Sequence, residues 1–251
     1  MSAGERSGLS GKGRGAGARN GAHRDEAEKP FWISFADMMT AMMVLFLVVM
    51  AVALLAVTKT VSEKEHEAVE HQNNIDTCMA LAAEAAQQHP GVTVDIKRHI
   101  VDFGDRARFA FNSAVLTPEQ AEVLRSFVPD LLAIAQEASC QKVLKRVVVE
   151  GYTDQKGTYL SNLNLSLLRS QRVLCSLFDG QGRFQLNDED KRAVRDLFWV
   201  GGFAFNAAKA TDEESRRVEM RLEFLGVDER ITRPFDLSSP NHDANFGKCS
   251  F

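Results

Sequence analysis

The longest feature of the hydropathy pattern is an unbroken apolar run. From Phe31 to Val57 only Ser34, Asp37 and Thr40 interrupt it. A helix rises about 1.5 Å per residue, so roughly 20 such residues cross a hydrocarbon core of about 30 Å. We expect one transmembrane helix over residues 30–58. Before it, residues 1–29 hold Gly, Ser, Ala and scattered charges with nothing apolar to pack, a pattern that predicts a disordered tail. After it, residues 59–89 are polar and Ala-rich until Pro90-Gly91, and predict a helical linker with a weak apolar stripe of Val61, Ala68, Val69, Ile75, Met79 and Ala82. A solvated spacer of about 45 Å, a dimeric coiled coil and a plug helix all fit this stripe.

Beyond Pro90 the period changes. Val92 to Phe103 alternates as a half-buried strand does, and Phe109–Ser113 reads as a second extended piece. Thr117-Pro118-Glu119-Gln120 opens a helix running to about Ala138: a cap, Pro at the first position, an acid in the first turn. A β-branched strand follows over Val143–Tyr152, then helices over Tyr159–Phe178 and about Asp188–Leu197, then strands over Trp199–Phe205 and Arg217–Phe224. We expect an α+β chain: one N-terminal transmembrane helix, then a βαβαβ domain (residues 90–226) with two main helices on one face of a mixed sheet, then a tail (227–251).

Charge orients the anchor. Arg and Lys dominate up to Arg24, whereas Glu63, Glu65, Glu67 and Glu70 follow the helix, which predicts a cytoplasmic N-terminus and an extracytoplasmic domain. The apolar run starts too late and is too long for a cleavable signal peptide. The net charge of −4 carries no basic block that would point to direct nucleic-acid binding. Cys78, Cys140, Cys175 and Cys249 form no Cys-x-x-Cys pair and no zinc pattern, so no metal or cofactor is expected; three full disulfide pairings remain open, and Cys78 could also link two copies. His66 and His71 are five apart, off a shared helix face, and read as surface residues. Gly8–Gly13 lacks the hydroxyl residue after Lys12 and a preceding strand, so it is no phosphate loop. No nucleophile–base motif is present, and the chain does not read as an enzyme.

Two constellations carry chemistry. Asp37 is a carboxyl in an apolar helix, where the charged form costs roughly 2.5–3.5 kcal/mol. It could snorkel to the headgroups or sit outside the membrane as an N-cap; alternatively it is a protonatable site, with the Thr40 hydroxyl three residues on at nearly the same face. The second is Glu150–Ser170. Asp154 ends a strand and Arg169 lies on the next helix, so the two could form a plain salt bridge or together bind a zwitterion, Asp154 taking an ammonium and Arg169 a carboxylate.

The string Trp32-Ile33-Ser34-Phe35-Ala36-Asp37-Met38-Met39-Thr40-Ala41-Met42-Met43 resembles the transmembrane helix of the MotB family, the B subunits of ion-driven stators. That resemblance implies an ion-translocating role for Asp37 and Thr40. Gly151-Tyr152-Thr153-Asp154, Gly157, Asn162, Leu165, Ser166 and Arg169 resemble the OmpA-like peptidoglycan-binding motif, with Ser170 replacing the usual Ala and Ser215 replacing the Asn of Asn-Arg-Arg-Val-Glu-Ile. It implies that Asp154 and Arg169 hold the diaminopimelate of a wall stem peptide, supported by Thr153, Ser161, Asn162, Leu165 and Arg217. The entry Asp25–Ser34, the run Met42–Met50, Leu163–Ser170, Cys175-Ser176-Leu177 and Gly201-Gly202-Phe203 further resemble the MotB-like subunits of Zorya anti-phage defence. The implied assembly is a dimer of this chain inside a ring of MotA-like ZorA subunits in the bacterial inner membrane. Its domain is periplasmic, proton flow past Asp37 turns the ring, and cytoplasmic effectors are reached only through the partner. A flagellar stator subunit and a passive membrane-to-wall tether are the alternatives.

Overall fold

The first element, α1 (Asp25–Gln87), carries the apolar run. The computed structural model describes residues 25–179, 183–229 and 246–249; of the tail expected to be disordered over 1–29, residues 1–24 lie outside them and 25–29 are instead the first residues of α1, and most of the expected C-terminal tail also lies outside. The chain divides within α1 into two units, Met1–Glu63 and Lys64–Phe251. In the first unit, among the described residues, no other segment packs on the apolar helix. Trp32, Met43, Leu45 and Leu55 are each more than 60% exposed, and the segment is long and apolar enough to cross a membrane. Thr58 and Thr60 return their hydroxyls to helix carbonyls one turn back, which lets polar side chains sit at the end of the run without unpaired donors.

The second unit is built on a five-stranded mixed sheet in the order β1-β2-β5-β3-β4. Its strands are β1 (Thr93–Asp95), β2 (Ile100–Asp102), β3 (Leu144–Gly151), β4 (Phe198–Gly202) and β5 (Val218–Phe224). Only β3 and β4 run parallel, so a crossover must join them. It is supplied by α4 (Tyr159–Phe178) and α5 (Asp188–Leu197), while α2 (Pro118–Ala135) lies against α4. The core uses alternate strand positions, Val147 and Val149 on β3 with Met220 and Leu222 on β5, against Leu124, Phe127, Val128 and Leu131 of α2 and Val173 and Leu177 of α4.

Most elements lie where the pattern puts them. The Thr117 cap forms with both halves of its capping box. Five features differ from the pattern. The single strand expected over Val92–Phe103 is a hairpin of two short strands, folded back at His99, whose φ is +54°. The helix expected to reach Ala138 stops at Ala135, and a short α3 (Ala138–Val143) follows Glu137. Phe109–Ser113 is no strand beyond one bridge, Arg108 with Arg217. Its Ala110 and Ser113 carbonyls are taken by the Arg169 side chain instead of a neighbouring strand. Finally, Ile75, Cys78, Met79, Ala82 and Ala86 are buried in the domain. This part of the stripe packs intramolecularly, and the helix from Lys64 onward belongs to the second unit, which therefore begins well before Pro90. His71, expected at the surface, is half-buried and donates to the Leu225 carbonyl (2.8 Å).

Both disulfides are within the chain, Cys78–Cys140 and Cys175–Cys249. The first closes 62 residues of sequence and ties α1 to α3. Chain-entropy arguments give such a loop roughly 4 kcal/mol. Replacing Cys78 and Cys140 together with Ala should lower the urea unfolding free energy by about that amount, and dithiothreitol should have no further effect at that site.

Candidate functional site

A close approach of backbone to backbone positions the site. A Cβ on Gly151, the last residue of β3, would lie 1.9 Å from the Ser166 carbonyl oxygen, and one on Gly202 would lie 2.8 Å from the Leu167 nitrogen. Glycine at both positions lets α4 sit directly on the ends of β3 and β4. Ser166 is fully buried there, and its hydroxyl accepts from the Ala204 N–H (3.0 Å) while donating to the Leu163 carbonyl. The Thr158 side chain caps α4.

The loop between β3 and α4 therefore faces the start of α4 across a cavity of about 260 Å³. Thr153, Asp154, Lys156 and Gly157 come from the loop; Ser161, Asn162, Leu165 and Arg169 come from α4; Phe111 and Asn112 come from the turn after β2. Six of the residues expected at the site from the sequence thus line one space: Thr153, Asp154, Ser161, Asn162, Leu165 and Arg169. Asn162 holds the loop by donating to the carbonyls of Lys156 (2.8 Å) and Thr158 (3.2 Å). Gly157 takes a φ of +95°, which favours glycine.

Asp154 and Arg169 do not pair. Asp154 accepts from Arg216 at 2.9 Å, and Arg216 also reaches Glu213. Against the opposing effect of burial, Asp154 and Glu213 hold the Arg216 guanidinium above its ordinary value. Arg169 is fully buried. It donates to three main-chain carbonyls, Ser113 (2.9 Å), Tyr152 (2.6 Å) and Ala110 (3.2 Å), and lies 5.0 Å from the centre of the Phe109 ring. Among the described residues it has no carboxylate within ion-pair distance. Burial pushes its guanidinium down to about 10, with Asp154 opposing and Arg216 adding to the drop; it remains a cation at neutral pH. Two of its five N–H donors are left over. The Thr153 hydroxyl is buried and, among the described residues, without a hydrogen-bond partner. A desolvated cation and an orphan hydroxyl on one small cavity are costly unless an anion meets them.

Arg217 does not line the cavity. It is buried beside Glu219 (2.7 Å), with its guanidinium 4.2 Å from the Tyr152 ring. Glu150 and Glu219 face each other across β3 and β5, with Arg221 on the same face bonded to Glu150. Burial, then the hydrogen bond to Glu150, holds the Tyr152 phenol above its ordinary value. Arg217 thus supports the loop from beneath, whereas its neighbour Arg216 touches the site through Asp154. Arg216, Phe111, Asn112 and Lys156 were missed from the sequence; the paired Arg216-Arg217 was the one available signal.

Asp37 lies in the other unit, exposed on the apolar helix, and the Thr40 hydroxyl donates to the Asp37 carbonyl oxygen (2.8 Å) rather than to its carboxylate.

The comparisons agree with both halves. Residues 108–197 match the OmpA family model, and residues 17–70 match the model described as membrane MotB of the proton-channel complex MotA/MotB. These define the class: an OmpA family domain carried behind a MotB-type membrane segment. Among curated proteins, Zorya protein ZorB of Escherichia coli O139:H28 is 41% identical over 219 residues, 86% of this chain and 89% of that protein. The chain belongs to the ZorB family, which is not a family of enzymes. Solved structures with similarity include the periplasmic domain of Helicobacter pylori MotB (16% identity, 57% of this chain and 85% of that one, TM-score 0.39) and the OmpA-like domain of FopA1 from Francisella tularensis (21%, 54% and 83%, TM-score 0.35).

Proposed function

We propose that this chain is the wall-anchored, stator-type subunit of a proton-driven inner-membrane motor acting in anti-phage defence. The N-terminus is cytoplasmic, one helix crosses the membrane, and the domain is periplasmic, a compartment in keeping with two intrachain disulfides. A dimer of this chain sits within a ring of MotA-like subunits, and Asp37, with Thr40 beside it, carries the ion. The cavity takes the zwitterionic end of diaminopimelate in a peptidoglycan stem. Arg169 and the Thr153 hydroxyl receive its carboxylate, Asp154 its ammonium, and Ser161, Asn162 and Leu165 shape the space between.

The observation that carries the wall-binding half is the buried Arg169 without a carboxylate partner, on a cavity it shares with Asp154. At about 260 Å³ the space is below the ~300–1,000 Å³ of drug-sized ligand sites, so it suits an amino-acid head rather than a sugar. The test is binding of detergent-solubilised full-length chain to a diaminopimelate-containing muropeptide. Asp154→Asn keeps the side-chain volume and removes the charge. Losing one partner of a buried charge contact costs about 2–5 kcal/mol, so affinity should fall roughly 30-fold or more. Unchanged affinity would remove Asp154 from the site.

A further inference from the structure

The cavity floor and its mouth differ in charge. At the floor, Arg169 is committed to three carbonyls and Asp154 is shared with Arg216. At the mouth stands Lys156. Its backbone is fixed from both sides: the N–H donates to Asp154 Oδ1 (3.2 Å) and the carbonyl accepts from Asn162 (2.8 Å). Its side chain is 62% exposed, with Nζ 2.7 Å from Asp212 and 5.8 Å from the centre of the Phe111 ring, itself an exposed part of the cavity lining.

An exposed ion pair contributes only about 0–1 kcal/mol, and an ammonium has three donors. Asp212 therefore holds Lys156 in place while leaving it able to accept a second anion. Resting on the wall-peptide reading above, we propose that Lys156 is a second carboxylate receptor at the cavity mouth. It makes the site prefer wall peptides whose carboxylate next to the zwitterionic head is free over those in which it is amidated. The head fills the cavity, and the neighbouring carboxylate meets the Lys156 ammonium above Phe111. An amide at that place offers a neutral carbonyl in its stead, and the charge-assisted bond is lost.

The experiment is calorimetric titration of the full-length chain in detergent with two soluble muropeptides identical except for amidation of that one carboxylate. The wild type should prefer the free acid by about five- to tenfold, the range expected for a charge-assisted bond discounted for exposure. Lys156→Ala should bring the ratio to about one, and Lys156→Arg should restore it. Asp212→Asn, which removes the competing carboxylate, should widen the ratio; a purely structural Lys156–Asp212 pair would not do this. Equal binding of the two peptides by the wild type overturns the role of Lys156 and leaves the wall-binding reading intact, as does a preference that persists in Lys156→Ala. Binding of neither peptide by the wild type overturns both.

Discussion

Cells carrying the full gene cluster with Asp37→Asn should lose phage protection entirely, plating phage as efficiently as cells that lack the cluster, at wild-type levels of the subunit in the membrane. Asn matches Asp in size and still hydrogen-bonds, but it cannot ionise. Any role in which the side chain only snorkels to the headgroups, caps the helix or bonds a neighbouring helix survives the change. A role that loads and releases a proton does not. Insertion should if anything improve, because the charged form costs roughly 2.5–3.5 kcal/mol at a helix centre. Among the described residues nothing else in the chain covers this side chain, and Thr40 is tied to the backbone; in the proposed assembly the groups around the carboxylate come from partner helices. The measurement is plaquing efficiency alongside immunoblots of the membrane fraction. Protection retained by Asp37→Asn would sink the motor and leave a passive tether. If the wild-type cluster gave no protection, the defence role would fall and motility in a stator-deleted strain would decide the flagellar alternative.

The long apolar helix was legible because an almost unbroken run of that length has no polar face to turn to water, and α1 carries it without a break. The helices Tyr159–Phe178 and Asp188–Leu197 form where the pattern put them, and in the structure each starts behind a capping side chain, Thr158 and Asn187. What stayed hidden was decided by tertiary competition. The sequence of Phe109–Ser113 alternates as a strand does, yet the two phenylalanines that a strand would put on one face part, Phe109 buried and Phe111 exposed, and a buried guanidinium claims the carbonyls of Ala110 and Ser113. The stripe of α1 could serve a coiled coil, a plug or a domain core; periodicity gives a face but not what covers it, and here Cys78–Cys140 pins part of that face inside the domain. The arginines part because a helix ends between them: Arg216 caps the C-terminus of a short helix and reaches Asp154, whereas Arg217 enters the bridge to Arg108 and meets Glu219. Sequence resemblance drew attention to Arg217; the geometry puts Arg216 against Asp154, one of the residues that line the cavity.

Arg169 should prove both the most binding-critical and the most structurally costly side chain of the domain, and two substitutions separate the roles. Arg169→Ala leaves the carbonyls of Ser113 and Tyr152 without their donor, while that of Ala110 keeps the Ser113 N–H. A buried acceptor left unpaired costs about 1–3 kcal/mol, so the total is several kcal/mol and the melting temperature should fall by about 10 °C, given roughly 2–4 °C per kcal/mol for a domain of this size. Arg169→Lys keeps the charge and one donating centre but not the planar fork, so its stability should lie between those of wild type and Ala. Muropeptide binding should be lost in both. Measured far below either melting temperature, where both variants are folded, the loss cannot be assigned to unfolding. The Lys variant is decisive. Folded Arg169→Lys that still binds the muropeptide with wild-type affinity would mean that the guanidinium is only a brace for the Phe111–Asn112 turn and the β3–α4 loop, and the ligand carboxylate would have to be received elsewhere. Loss of binding in a folded Lys variant means that the two N–H donors left over at the cavity floor receive the anion, and that the same side chain builds the site and binds in it.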